Sequence, residues 1–158
     1  MSLKKKKDYS GSDLTGQLFA KQDLAMSSFE DTLMEGVDLS DSILEMARFD
    51  GAILDNANLF SADLYMASFF LASLRNANLT EADMLGVDLK EADLRGANLT
   101  GANLGVSNIG SRSQLQGANL RGAILTNAKL DGAEYDKYTA FPDNFDPSAQ
   151  KMIFVESK

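Results

Sequence analysis

Leu94-Arg95-Gly96-Ala97-Asn98-Leu99-Thr100-Gly101-Ala102-Asn103-Leu104 is a five-residue phrase, Ala-Asn/Asp-Leu-x-x, written twice. Taking its Leu as the central position and stepping by five gives an unbroken series from Leu14 through Phe29, Phe49, Phe69 and Leu99 to Ile109. One extra residue enters near Gly110–Gln114, and the count resumes at Leu115 and runs to Tyr135. All 25 central positions are apolar or aromatic, and 15 of the residues two places before them are Ala, so this period governs the chain.

A period of five fits neither regular element. An α-helix advances about 100° per residue, so five residues move the apolar stripe by about 140° each time and spread it all round. A straight strand alternates faces, and an odd period sends successive Leu residues to opposite sides. A short extended piece followed by a corner does fit. The small residue and the Leu, two apart, then point the same way, and the next two residues turn. Nine of the 12 glycines stand second after a central residue, where a type II turn needs positive φ. Pro is absent from the repeat, as strands bonded along both edges require.

The pentads from about Asp8 to Asp136 resemble the pentapeptide-repeat family. The resemblance implies an all-β fold, a right-handed quadrilateral parallel β-helix with four pentads in each coil of the solenoid. Phe29, Phe49 and Phe69 recur at intervals of twenty, which agrees, and they are expected to stack in one column. The 25 pentads give about six coils. At roughly 4.8 Å per strand the rod is on the order of 30 Å long.

The chain accordingly divides into a basic lead (1–7), the β-helix (8–136) and a C-terminal capping tail (137–158). The run from Tyr135 to Pro142, with Phe145-Asp146-Pro147, resembles the tail of cyanobacterial and plastid members of the family. Asp146 then Pro147 reads as a helix cap and first position. A short helix over Pro147–Phe154 is therefore expected to lay Phe141, Phe145, Met152 and Phe154 over the last coil. An uncovered end coil exposes core and unpaired strand edges.

Composition narrows the chemistry. At 158 residues the chain suits a single domain. It contains neither Cys nor His. That removes disulfides, a thiol nucleophile, an imidazole base and Cys or His metal sites. No apolar run reaches the length of a membrane span, and no hydrophobic segment follows Lys4–Lys7. No signal peptide and a cytoplasmic location are the expectations.

Asp38, Asp63, Asp83, Asp88 and Asp93 stand just before central residues, facing solvent, and belong to the repeat rather than to a carboxylate pair. Gly96 and Gly101 imitate a phosphate loop, but Ala102-Asn103 stands where Lys-Ser/Thr is needed. Leu facing Ala fills the cross-section and leaves no cavity. No catalytic, cofactor-binding or metal-ligating residue emerges, and the chain reads as non-enzymatic.

The surface carries what signal remains. Asn58, Asn78, Asn98 and Asn119 are expected to form one external amide ladder. From Asp8 to Glu91 there are 16 acids and 4 bases; from Ala92 to Asp136 there are 4 of each, so the acidity is confined to one half. That half repels phosphates and attracts basic partners. Outward positions also hold Met26, Ile43, Met46, Phe60, Tyr65, Met66, Phe70, Leu71 and Leu85, an apolar group of the kind that marks an interface. The favoured reading is a scaffold that presents this patch and its acidic rim to a protein partner or a second copy. The family resemblance implies an alternative, a DNA mimic acting on a type II topoisomerase, gyrase.

Overall fold

The computed structural model describes residues 6–157; the first five residues of the basic lead lie outside them. A central side chain can be buried every five residues only if the backbone turns within each pentad. Around Leu59 the Ala62 N–H donates to the Leu59 carbonyl at 3.1 Å. This closes a turn whose third residue, Ser61, has φ of +52°. Positive φ recurs at this place along the chain, at Gly51 (+68°) and equally at Met46 (+54°) and Leu71 (+59°). That is the type II signature.

Four corners close a coil. Each residue before a central position pairs in parallel with its counterpart in the next coil. The first face carries the rungs Asp8, Ser28, Arg48, Ser68 and Asp88; the second carries Asp13, Leu33, Ile53, Ser73 and Asp93. Leu18, Asp38, Asn58, Asn78 and Asn98 form the third face, and Asp23, Ile43, Asp63, Asp83 and Asn103 the fourth. Each rung is bonded on both edges: the Leu59 N–H donates to the Asn78 carbonyl at 2.7 Å, and the Asn78 N–H to that of Ala57 at 2.9 Å. The polar backbone is thus satisfied along the axis. The architecture is a quadrilateral parallel β-helix.

The core fills the tube. Central side chains from Leu24 to Leu104 are fully buried, each from Phe29 onward beside a small residue two places earlier. Phe29, Phe49 and Phe69 do stack, with centroids 4.8 and 4.7 Å apart and planes 4° from parallel. Tyr9 adds a ring against Phe29 at 5.0 Å. Ring spacing and parallel-strand spacing coincide at ~4.8 Å, so the rings meet without bending the ladder.

Two sequence expectations fail. Near Gly110 the coil gains six residues, not one: Asp88 pairs with Gln114, a step of 26 (88 to 114), where Ser68 to Asp88 is a step of 20. The extra length is a hairpin in which Val106 and Arg112 pair antiparallel. The Ser107 N–H donates to the Ser111 carbonyl at 2.7 Å, and that of Gly110 to the Ser107 carbonyl at 2.9 Å. Ile109, counted as a buried central position, lies at its tip and is 70% exposed. Asn119 consequently leaves the Asn column, pairing with Asp93 and Ala140, while Ile124 follows Asn98.

The second failure is the helical cap. Among the described residues there is no helix. Asp146 Oδ1 accepts the Ser148 N–H at 2.9 Å, which makes an Asx turn. The Lys151 N–H reaches the Ser148 carbonyl at 2.9 Å, but Lys151 itself has φ of +55°, and a helix cannot pass through that conformation. The chain instead rejoins the ladder. Strand β1 (Glu134–Tyr135) pairs in parallel with β2 (Ile153–Phe154), and Ala140 adds a rung beside Asn119. Phe141 and Phe145 stack at 4.9 Å and pack on the core, as does Met152. Phe154 meets Tyr135 edge-on at 5.5 Å and stays largely exposed.

A candidate protein-binding face

Acids crowd the rungs for a local reason. Asp38 Oδ1 accepts the Ser40 N–H at 3.0 Å, Asp63 that of Tyr65 at 3.1 Å and Asp88 that of Lys90 at 3.0 Å. Asn98 does the same for Thr100 at 3.0 Å. Each side chain bridges its own corner, the Asx arrangement. Hydrogen bonds from Ser40 hold the Asp38 carboxyl below its ordinary value, and the Arg95 guanidinium does so for Asp93. Burial pushes the Asp55 carboxyl up, but bonds from Arg75 and Ser73 outweigh it and the net shift is downward. Asp38, Asp55 and Asp93 are thus shifted toward the charged form, the reverse of what a general acid needs. Among the described residues no group of three or more such side chains is arranged to hold a metal.

The third face satisfies itself. Asn58 Nδ2 donates to Asp38 Oδ1 at 3.0 Å, and Asn78 Nδ2 to Asn58 Oδ1 at 3.1 Å. The hydroxyls of Thr80 and Thr100 donate to Asn78 and Asn98 Oδ1, both at 2.7 Å. Little is left there for a ligand.

The corner between the fourth and first faces is different. Met26, Met46 and Met66 stand one above another there, with φ of +57°, +54° and +54°. Met26 is 43% and Met46 47% exposed. Tyr65 and Leu85 precede the same corner in their coils, and Ile43 is a rung of the adjoining fourth face. These six are brought together. Phe60 lies at the other edge of the fourth face. Phe70 and Leu71 turn the corner between the first and second faces, across a whole face that carries Arg48 and Ser68.

The hairpin is the part that pentad counting missed, and it leans on this corner. Tyr65 Oη donates to Asn108 Oδ1 at 3.1 Å. Ser111 stands over Gly86, so closely that a Cβ there would lie 3.2 Å from its own, and 3.4 Å from Met66 Cγ. Met66 and Leu85 are therefore only half exposed, while Met26 and Met46 are open. Exposed Leu33 and Ile53 on the second face were also missed. Their signal is an aliphatic residue on a rung where Asp or Asn is usual.

Charge beside the corner is negative above Met26, while Lys6 and Lys7 stand on the coil below it. Glu45, Asp63 and Asp83 border the corner and make no ion pair among the described residues. Arg48, the nearest rung cation, is turned away to Glu30 and Asp50.

The family profile described as pentapeptide repeats matches in eight copies, over residues 32–69, 67–105 and 111–134. The chain belongs to the pentapeptide-repeat family. Its profile stops at 105 and resumes at 111, which brackets the hairpin tip. Among solved structures, a trypsin-treated form of QnrB1, a plasmid-mediated fluoroquinolone resistance protein, is 17% identical. The match covers 95% of this chain and 90% of that one, with a TM-score of 0.55. This likeness is one of fold. The pentapeptide repeat protein alr5209 from Nostoc Pcc 7120 is 27% identical over 95% of this chain and 86% of its own, TM-score 0.30. AT2G44920, a pentapeptide repeat protein from the Arabidopsis thaliana thylakoid lumen, is 32% identical over 82% and 68%, TM-score 0.32. No curated protein matches. No helix among the described residues is long and apolar enough to cross a membrane.

Proposed function

We propose that this pentapeptide-repeat chain is a non-enzymatic, cytoplasmic protein-binding scaffold. Its rigid β-helix presents Met26, Ile43, Met46, Tyr65, Met66 and Leu85, with an acidic border, to a protein partner or a second copy. Phe60, Phe70 and Leu71 extend the apolar surface at neighbouring corners. The carrying observation is the Met column. Positive φ costs a non-glycine residue roughly 1–2 kcal/mol, and Asn or Asp offsets that with local hydrogen bonds that Met lacks. Met26 and Met46, open at stacked corners, gain nothing for the fold by facing water. A contiguous apolar patch of adaptable side chains is a common interface surface.

Affinity capture from the native organism with mass spectrometry tests this. The expected result is a partner retained by the wild-type chain and lost with Met46→Glu/Tyr65→Glu, whose thermal unfolding is unchanged. Retention by the variant would move the interface elsewhere.

A second reading, DNA mimicry toward gyrase, draws support from the acidic half, with 16 acids against 4 bases from Asp8 to Glu91. Arg75, Arg95 and Arg121 weaken it, because they stack on one corner and interrupt the negative surface. The scaffold reading predicts no inhibition of gyrase supercoiling at micromolar protein; inhibition would favour the mimic. Direct binding of nucleic acid is not expected, since the acidic faces repel phosphates.

A further inference from the structure

If the Met corner is a docking face, as proposed above, its geometry also selects the kind of partner. We infer that the occupant is an amphipathic α-helix with basic flanks, lying along the rod axis over Met26 and Met46 and ending below Tyr65. The corner is a convex ridge, so its partner supplies the groove. Side chains along the ridge repeat once per coil, every ~4.8 Å. A helix presents its apolar residues once per turn, every ~5.4 Å, with grooves between the rows. Over two or three turns the periods stay in step within about an ångström or two, and each Met seats between successive helix rows.

An extended segment fits less well. Along the axis it would present side chains on one face only every ~6.7 Å, out of step with the coils after a single repeat. Laid across the axis, it would find no strand edge. The backbone groups of these coils are already bonded to the coils above and below, as with the Leu44 N–H to the Asp63 carbonyl at 2.7 Å and the Asp63 N–H to that of Ser42 at 3.0 Å. Strand addition needs free edge groups. A helix needs none, because its backbone is internally satisfied.

Charge fixes the flanks. Glu45, Asp63 and Asp83 border the ridge beside and above Met46, Arg48 is held at the far corner by Glu30 and Asp50, and Lys6 and Lys7 mark its lower end on the coil below Met26, so the carboxylates lie on the upper flanks. Lys or Arg beside the apolar stripe of the helix would meet these carboxylates, and acidic flanks would be repelled. The hairpin closes the upper end of the ridge, with Asn108 on the Tyr65 hydroxyl and Ser111 beside Met66. The helix is thereby confined to the N-terminal coils, over Met26 and Met46.

The test uses the full chain with methyl-labelled Met and three synthetic peptides of about fourteen residues, four helical turns. One carries a Leu stripe at helical spacing with Lys flanks; the second has Glu for Lys; the third has the first's composition in an order without a stripe. The striped Lys peptide is expected to bind, shift the Met26 and Met46 methyl resonances and become helical. Met26→Gln/Met46→Gln, which leaves every charge in place, should weaken it about tenfold or more. Equal binding by the stripeless peptide, or binding without those methyl shifts, overturns the inference. If no peptide binds while Met46→Glu/Tyr65→Glu still abolishes capture of the native partner, the helix is wrong and the docking face stands. If capture also survives that variant, both are wrong.

Discussion

Phe49 shows how much a single central position carries. It lies between Phe29 and Phe69 at 4.8 and 4.7 Å and is wholly buried. Phe49→Ala should cost about 3–5 kcal/mol in urea unfolding. A loss under ~1 kcal/mol would mean that the column is not packed as described. The central residues were legible because a buried apolar side chain every fifth place admits only one kind of path. The rung Asp and Asn residues were legible as solvent-facing, but not as corner braces. That role depends on a backbone N–H two residues away, such as Ser40 for Asp38, which spacing alone does not reveal. Nor does spacing show that Phe70 and Leu71 sit a full face away from Met66. Neighbours in sequence separate once a corner falls between them.

Among the elements, the hairpin and the tail are where the pentad count ran out. Six inserted residues and one leave the same remainder on division by five, so the phase after Leu115 could not tell them apart, and apolar Ile109 happened to fall in phase. Deleting Val106–Ser111 restores twenty residues between Asp88 and Gln114. The deletion should still unfold cooperatively, with the Met66 methyl newly open to solvent by paramagnetic probe. Loss of cooperative unfolding would show that the hairpin supports the coil. In the tail, Asp146-Pro147 did start a turn, and the left-handed backbone at Lys151 ended it before it became a helix.

The tail is fastened by Asp136. Its carboxylate accepts from the Ser157 hydroxyl at 2.7 Å and from the N–H groups of Gly117 and Tyr138, each at 3.0 Å. Burial pushes its carboxyl up, but these bonds outweigh it and leave it below its ordinary value of 3.8. A lowered carboxylate contributes stability that is fully present above the unfolded-state value and is lost as pH falls through the folded one. The protection of the Tyr138 and Gly117 amides, relative to their intrinsic exchange rates, should therefore fall only below about pH 4. Asp136→Asn should be less stable at pH 7 and lack this part of the acid decline. An unchanged acid profile in the variant would contradict the fastening.

At the scale of the molecule, one rule generates a rod with four faces that differ only in what their rungs and corners carry. The third face closes on itself through Asn and Thr; the second stacks Leu33 on Ile53, with Asp31 and Glu35 at its edges; the Met corner stacks two open Met side chains at positive-φ positions beside Glu45 and Asp63. Stability comes from the repeat, and the proposed recognition rests on departures from it, which is why the repeat was plain in the sequence and the proposed docking face only partly so. Photo-crosslinking in native extract tests this most directly, with a photoreactive side chain placed at position 46 and, separately, at position 53 on the second face. The account predicts a discrete protein adduct from position 46 and none from position 53. No adduct from 46, or the same adduct from both, would contradict it.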